Sequence, residues 1–254
     1  MTAHSLIEDD CRNLGFITDE SVDLIITHPA YMGELNPVIA ECERVLAPGG
    51  CFICIASPAP RRDEELPLAA DVYVLAQRHG LTLERTIRWL PSGQAALDAS
   101  AFYGAPNQPC GEILCDSREI LVMRTPGERV VSLETQVASR LGADLFAACS
   151  STVWLIPGSP DPRHPQSLPF ELAERLIRMF SFVSDAVLDP FARIGTTSAA
   201  ARACGRNSVG VEIEGRYFES MAARLSRAEV PDAEIEISGR RFARPSVEHR
   251  LPTV

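Results

Sequence analysis

The chain has 254 residues, 46% of them hydrophobic, which is enough to bury one sizeable core. Its formal charge is −10 and all 24 basic residues are arginine, an acidic balance that disfavours strong non-specific attraction to phosphates. No apolar run is long enough to cross a bilayer and residues 1–10 lack a secretion signal, so we expect a soluble, cytoplasmic protein with no membrane partner.

The eight cysteines do not form a repeated metal-type pattern, and we expect them to be reduced and mostly buried. Cys51 and Cys54 have the spacing of a metal-ligand pair. On a strand, however, residues three apart point to opposite faces, so no metal site is predicted there.

A strand–helix–strand unit is predicted near the N-terminus. The apolar run Val22 to Ile26 indicates a buried strand, and Pro29 indicates that a turn follows it. Asn36 is the expected cap of a helix that ends at Pro48-Gly-Gly50, and Cys51 to Ile55 is the second strand. This order is typical of a parallel α/β sheet.

The middle of the chain is less regular. We predict a helix before Gly80, a strand at 81–90, a long loop at 91–117, a strand at 120–123, and then an ambiguous stretch at 127–152 with a short strand at Val130-Val131 and a helix at 133–148. In residues 91–168, eight acidic residues outnumber five arginines, so this region is not a basic surface.

The clearest pattern lies between residues 169 and 212. An amphipathic helix opens at Pro169, and Ala186 to Leu188 forms a buried strand that ends in Asp189. A short helix follows, with Thr196 and Thr197 at its start and glycine after its end. A further strand ends in Glu212, which completes the order of a nucleotide-binding βαβ unit whose acid accepts from ribose hydroxyls.

The remaining elements are a helix at 216–227 and an edge strand near residues 235–237. We expect one domain over residues 1–238, with a variable recognition region at about 91–163 and a basic, disordered tail at 239–254.

The loop Asp189-Pro-Phe-Ala-Arg-Ile-Gly-Thr-Thr197 resembles the cofactor loop of the DNA amino-methyltransferases that act on cytosine N4 or adenine N6. In that family the loop is typically Asp-Pro-Phe-x-Gly-x-Gly-Thr-Thr, so Arg193 stands where the first glycine is usual. The resemblance implies S-adenosylmethionine as the cofactor. It assigns cofactor contacts to Asp189, Phe191, Gly195, Thr196, Thr197 and Glu212.

The turn Thr27-His-Pro-Ala-Tyr31 occupies the position of the family's catalytic tetrapeptide, usually Asp-Pro-Pro-Tyr or Ser-Pro-Pro-Tyr. The resemblance implies that His28 and the Pro29 carbonyl accept hydrogen bonds from the target amine, and that Tyr31 stacks on the base. Thr27 is expected to contact the cofactor. Since a protonated imidazole cannot accept, we expect activity to fall as the pH drops through the titration of His28.

Two further patches resemble this family: Asp10-Cys11 is similar to its Gly-Asp-Cys segment, and His164-Pro165 to the segment that leads into the cofactor helix. Both would lie near the cofactor. The catalytic turn precedes the cofactor loop, which is the circularly permuted order. The resemblance therefore implies a three-layer, Rossmann-like α/β fold with a mostly parallel sheet and permuted connectivity.

These patterns favour an S-adenosylmethionine-dependent N-methyltransferase that acts on an exocyclic amine, with a base in DNA as the substrate that the family implies. Two alternatives stay open: the same chemistry on a small nitrogen heterocycle or nucleoside, suggested by the acidic charge, and a non-catalytic regulator or binding protein, suggested by His28 and Arg193. A homodimer also stays open. Each motif taken alone also fits a structural interpretation: residues 189–197 fit an ordinary strand-to-helix turn, and His28 fits a structural histidine.

Overall fold

The computed structural model describes residues 2–29, 35–56, 68–91, 117–159, 167–227 and 233–239. Their strands are β1 (Thr2–Glu8), β2 (Val22–Thr27), β3 (Leu46–Ala56), β4 (Thr82–Leu90), β5 (Arg118–Arg124), β6 (Val153–Leu155), β7 (Ala186–Asp189), β8 (Asn207–Glu212) and β9 (Ala233–Gly239). Their helices are α1 (Leu35–Val45), α2 (Leu68–Arg78), α3 (Leu133–Ala138), α4 (Ala143–Cys149), α5 (Phe170–Phe180), α6 (Thr196–Ala203) and α7 (Gly215–Arg227).

The strands form one nine-stranded sheet in the order β6-β4-β5-β3-β2-β7-β8-β1-β9. β5 runs antiparallel to both of its neighbours, β3 and β4. The other neighbouring pairs in the described chain are parallel, so the predicted mostly parallel sheet is confirmed.

Helices cover both faces of the sheet, because nearly every residue of the central strands is buried and needs apolar cover on each side. α1 and α2 pack on one face, where Val38, Cys42 and Val72 belong to one apolar cluster. α5 and α6 pack on the other, with Leu172 and Ala200 in a second cluster. Cys51 and Cys54 belong to different clusters, as predicted from their strand position.

The register of the central strands places four chemically important strand ends at one edge. β2 pairs with β7 through Leu24↔Val187 and Ile25↔Leu188. β7 pairs with β8 through Asp189↔Gly210, and β8 with β1 through Glu8↔Glu212. Because these strands are parallel, the carboxyl ends of β1, β2, β7 and β8 open at the same side of the sheet.

The Gly-Arg-Asn segment before β8 has a structural role. Arg206 is buried and donates from Nη2 to the Ser181 carbonyl at 2.7 Å. Asn207 accepts from the Ala3 amide at 2.9 Å and donates to the Ser184 carbonyl at 2.6 Å. These bonds fix β8 between its two neighbouring strands.

Four local features differ from the sequence-based expectations. No strand forms at Val130-Val131. The predicted helix at 133–148 is two short helices, because the helical conformation is interrupted between Ser139 and Gly142. β6 was not predicted, because its Val153 and Leu155 are exposed and Trp154 alone is buried. β3 begins at Leu46 and includes the Pro-Gly-Gly turn. Among the helices of the described residues, none is long and apolar enough to span a membrane.

Candidate active site

A pocket lies where β2 and β7 end, at the carboxyl side of the sheet. It brings together five of the residues predicted from the sequence: His28, Asp189, Phe191, Thr196 and Thr197. Arg193 also lines it, and the rest of the lining is Ile26, Ser167, Leu168, Ala192 and Ile194. Two segments far apart in the chain therefore form one cavity.

Asp189 is the buried acid of this pocket. Its Oδ2 accepts from the Thr197 hydroxyl at 2.5 Å, and its Oδ1 accepts from the Phe191 amide at 3.0 Å. Burial raises the pKa of Asp189 from 3.8 to about 7, because desolvation penalises the charged form more than these two hydrogen bonds favour it. The ionised carboxylate would be stabilised by a cationic group entering the pocket.

Glu212 holds the loop that follows Asp189. Its Oε2 accepts from the Arg193 amide at 2.7 Å, and its Oε1 accepts from the Glu214 amide at 2.8 Å. Burial raises the pKa of Glu212. The backbone of Arg193 has φ of 48°, in the left-handed region where glycine is favoured. That conformation gives a physical reason for the glycine usual at this loop position.

The start of α6 differs from the capping that the two threonines suggested. Gly195 is the N-cap, with φ of 72° and no side-chain cap. A Cβ on Gly195 would lie 2.5 Å from Cγ of Met221, so glycine is required for packing against α7. Thr197 donates to Asp189, and Thr196 Oγ1 accepts from Arg224 at 2.7 Å. Thr196 and Thr197 line the pocket, and Gly195 itself does not belong to the lining.

His28 lies directly after β2 and reaches into the same pocket. Burial lowers its pKa from 6.5 to about 3, and the nearby positive charges of Arg118 and Arg193 lower it further. The imidazole is therefore neutral at ordinary pH. The predicted loss of activity through the titration of His28 stays a prediction, and the low pKa places that titration in strongly acidic solution.

Thr27 and Pro29 line a second, apolar pocket of about 250 Å³. Phe191 lines both pockets and so forms part of the wall between them. Thr27 Oγ1 and Ser167 Oγ are buried and make no hydrogen bond within the described part of the chain. Two buried hydroxyls at this edge thus keep unused hydrogen-bonding capacity.

Asp10 and Cys11 follow β1, beyond Glu212, and do not line the pocket at Asp189. Asp10 is bound by Arg12, whose Nη2 lies 2.6 Å from Oδ2, and this contact lowers the pKa of Asp10. Burial raises the pKa of Cys11 to about 12, so its thiol is a packing group. Tyr31 and His164, both predicted site residues, lie outside the described residues.

Sequence reasoning missed three polar residues near the pocket. Ser167 precedes the Leu-Pro start of α5, and its position beside a recognisable segment was the available signal. Arg118 acts on His28 from β5, and Arg224 reaches Thr196 from α7. Nothing in the sequence around either arginine indicates this role, because the tertiary fold alone brings them to the site.

Comparison with known proteins decides the family. A sequence model of a family described as DNA methylase matches residues 8–224. The chain belongs to this family. The assignment agrees with the N4-cytosine or N6-adenine resemblance, and it identifies the chain as an S-adenosylmethionine-dependent N-methyltransferase.

Individual DNA methylases share this architecture. Over 285 residues the chain is 28% identical to the DNA adenine methyltransferase YhdJ of Escherichia coli K12, covering 99% of this chain and 93% of that one. It is 26% identical over 279 residues to the type II methyltransferase M.MthZI of Methanothermobacter thermautotrophicus, covering 89% and 77% of the two chains. The crystal structure of TTHA0409, a Thermus thermophilus protein described as a DNA modification methylase and bound to S-adenosyl-L-methionine, matches with a TM-score of 0.76 and 34% identity over 92% of this chain and 97% of that one.

Proposed function

We propose that the chain methylates the exocyclic amine of adenine or cytosine in DNA, and that transfer takes place at the pocket between β2 and β7. One observation carries the proposal: His28 and Asp189, from parallel neighbouring strands, line the same cavity. The amine-binding turn and the cofactor loop would then meet at one point, which a direct transfer between two bound molecules requires.

The residues around Asp189 fit the methyl donor. S-adenosylmethionine supplies an electrophilic methyl group on a positively charged sulfur. Asp189 offers a buried carboxylate whose charge that cation would stabilise, and the unused Ser167 hydroxyl offers a hydrogen bond. The start of α6 suits the carboxylate of the ligand, because the N-terminus of a helix favours negative charge.

Glu212 is the proposed acceptor for the ribose hydroxyls. Its carboxylate accepts two backbone amides, and further lone pairs of its oxygens stay available for a ligand. Asp10 and Cys11 lie beyond it at the end of β1, where the adenine would reach, and Asp10 would have to share its carboxylate with Arg12. His164 is proposed as an additional contact from the sequence resemblance alone.

The turn after β2 is the proposed site of the target amine. A neutral imidazole can accept one hydrogen bond, and the low pKa of His28 keeps the ring in that state. The Pro29 carbonyl is the second proposed acceptor, and Tyr31 the stacking residue. Two acceptors orient the amine lone pair away from the ring plane and toward the donor. Thr27 stays a proposed cofactor contact, and it lines the adjoining apolar pocket.

The proposal is tested by incubating the purified protein with radiolabelled S-adenosylmethionine and unmethylated duplex DNA, then digesting the DNA and identifying the methylated nucleoside by mass spectrometry. We expect N6-methyladenine or N4-methylcytosine. His28→Ala is expected to abolish transfer while it still binds the cofactor, because it removes the proposed amine acceptor. Arg216→Ala, at an exposed site on α7, is the matched control and is expected to keep full activity.

Three outcomes would contradict the proposal. Methylation of free nucleosides or small heterocycles, with no label in DNA, would favour the small-molecule alternative that the acidic charge of −10 suggests. Label in neither substrate, with tight cofactor binding, would favour a binding protein. Full activity of His28→Ala would move the amine site elsewhere.

A homodimer is the proposed assembly. The two short helices expose large apolar side chains, Leu133 and Val137 on α3 and Phe146 on α4, which support association with another protein surface. Light scattering after size-exclusion chromatography checks this, with a dimer mass expected for the wild type. A monomer at every concentration would contradict it.

A further inference from the structure

Arg193 brings a cation into the pocket where the methyl donor is proposed to bind. Its backbone is held in the left-handed region, at φ of 48°, by the 2.7 Å hydrogen bond from its amide to Glu212. The side chain is half-buried and forms part of the pocket lining together with Asp189 and His28. A fixed backbone thus holds a cationic residue at the wall of the cavity, and its charge acts on His28 and Asp189.

The charge of Arg193 acts on both of the other titratable groups in the pocket lining. It favours the ionised form of Asp189 and disfavours the protonated form of His28, and it also favours the ionised form of Glu212, which lies outside the lining. A ligand that enters between these residues would therefore feel the same positive charge. Arginine stays protonated at any ordinary pH, so this contribution is permanent.

We propose that Arg193 sets the relative affinity of the pocket for the charged methyl donor and its neutral thioether product, shifting the balance toward the product. This inference rests on the proposed function of the pocket. S-adenosylmethionine and S-adenosylhomocysteine differ by one methyl group and by the positive charge of the sulfonium. A guanidinium repels the sulfonium and has no such interaction with the thioether.

The ratio of the two affinities isolates this effect. Both ligands carry the same amino, carboxylate, ribose and adenine groups, so any attraction between Arg193 and the ligand carboxylate cancels in the ratio. The repulsion does not cancel. For two unit charges in a partly buried site it corresponds to a change of about threefold to tenfold in relative affinity.

Calorimetric titration of wild type, Arg193→Gly, Arg193→Gln and Arg193→Lys with both ligands tests the inference without measuring catalysis. Glycine suits the left-handed backbone and glutamine keeps most of the side-chain bulk, so the two neutral variants separate charge from shape. We expect both to favour S-adenosylmethionine over S-adenosylhomocysteine by about threefold to tenfold more than wild type, and lysine to stay near wild type.

An unchanged ratio in both neutral variants, with both ligands still binding, would overturn the inference and leave the proposed function intact. The same shift in the lysine variant would also overturn it, because the cause would then be shape. If wild type binds neither ligand, the proposed function fails and this inference fails with it.

Discussion

Asp185 and Asp189 lie at opposite ends of β7 and have similar exposure, 8% and 7%, yet their surroundings differ in charge. Asp185 is bound by both terminal nitrogens of Arg129, at 2.8 and 2.9 Å. Asp23 from β2 contacts the same guanidinium at 2.8 Å. Asp189 instead accepts from a hydroxyl and a backbone amide, and burial raises its pKa to about 7.

The difference separates an acid that is paired within the fold from one that is proposed to contact the cofactor. At the Asp185 end, the arginine neutralises two acids and fastens β2 to β7, so the strands enter the sheet together. At the Asp189 end, the carboxylate accepts hydrogen bonds from neutral donors. The positive charge of Arg193 acts on this carboxylate through space and favours its ionised form. A buried acid in that state gains most from a cationic ligand, whereas the acid at the other end of the strand already has a cationic partner.

Asp185→Asn removes the ion pair at the first end of β7 and should have the largest effect on stability. Asparagine cannot replace the charged pair with Arg129, so we expect the free energy of unfolding to fall by about 2 kcal/mol. Urea denaturation measures this. Cofactor affinity of the folded variant should be unchanged, because the substitution lies at the other end of β7. Glu119→Gln, which weakens an exposed pair with Arg88, is the control and should change stability by less than about 0.5 kcal/mol.

Asp189→Asn should give the opposite result. Stability should equal or exceed that of wild type, because a buried charge is removed while the asparagine oxygen can accept from the Phe191 amide and its NH2 group can donate to the Thr197 hydroxyl. Affinity for S-adenosylmethionine should fall about tenfold, since a charge pair in a partly buried site contributes on the order of 1–2 kcal/mol. Calorimetry measures it. Equal losses of affinity in the Asp185 and Asp189 variants would remove the distinction between the two ends.

The titration of Asp189 sharpens the comparison further. Its folded pKa of about 7 lies above the ordinary 3.8, so the folded protein binds this proton more tightly than the unfolded chain does. Its contribution to stability is therefore lost as the pH rises from about 4 to about 7. Affinity for the cationic cofactor should increase as the carboxylate ionises, over about pH 6 to 8, and Asp189→Asn should flatten this profile. A flat wild-type profile would contradict the assignment.

The imidazole of His28 should stay neutral in the folded protein over the pH range in which Asp189 titrates. Its pKa is lowered from 6.5 to about 3, so the unfolded chain takes up the proton first and stability due to His28 is lost only as the pH falls below about 6.5. The ring NMR signals of folded protein should stay constant from about pH 8 to about pH 5. A titration of those signals near pH 6.5 would show that the imidazole is solvated and charged in weak acid.

The sequence predicted the parts of the site that have local signals. Pro29 ends β2, and the order of strand, loop, helix and strand around Asp189 follows from apolar runs separated by glycine and proline. Parallel pairing of β2 with β7 then follows from the family fold. The convergence of His28 and Asp189 was accordingly within reach of the sequence.

Side-chain contacts between distant segments could not be predicted from the sequence. Arg129 binds acids from two strands, and no pattern near residue 129 indicates this. The division of residues 133–148 into α3 and α4 was missed because these helices bury few apolar residues, so they lack a periodic stripe. The role of Thr197 also differs from the predicted one, because its hydroxyl donates to the buried carboxylate of Asp189 and does not cap the helix.

A crystal structure of the protein with S-adenosylhomocysteine tests the central claim most directly. The account predicts ligand density in the cavity between the ends of β2 and β7, in contact with residues from both the Asp189 loop and the turn at His28. Density at another part of the sheet, or contact with the Asp189 loop while His28 lies on the far side of a closed wall, would contradict a shared site for methyl donor and amine.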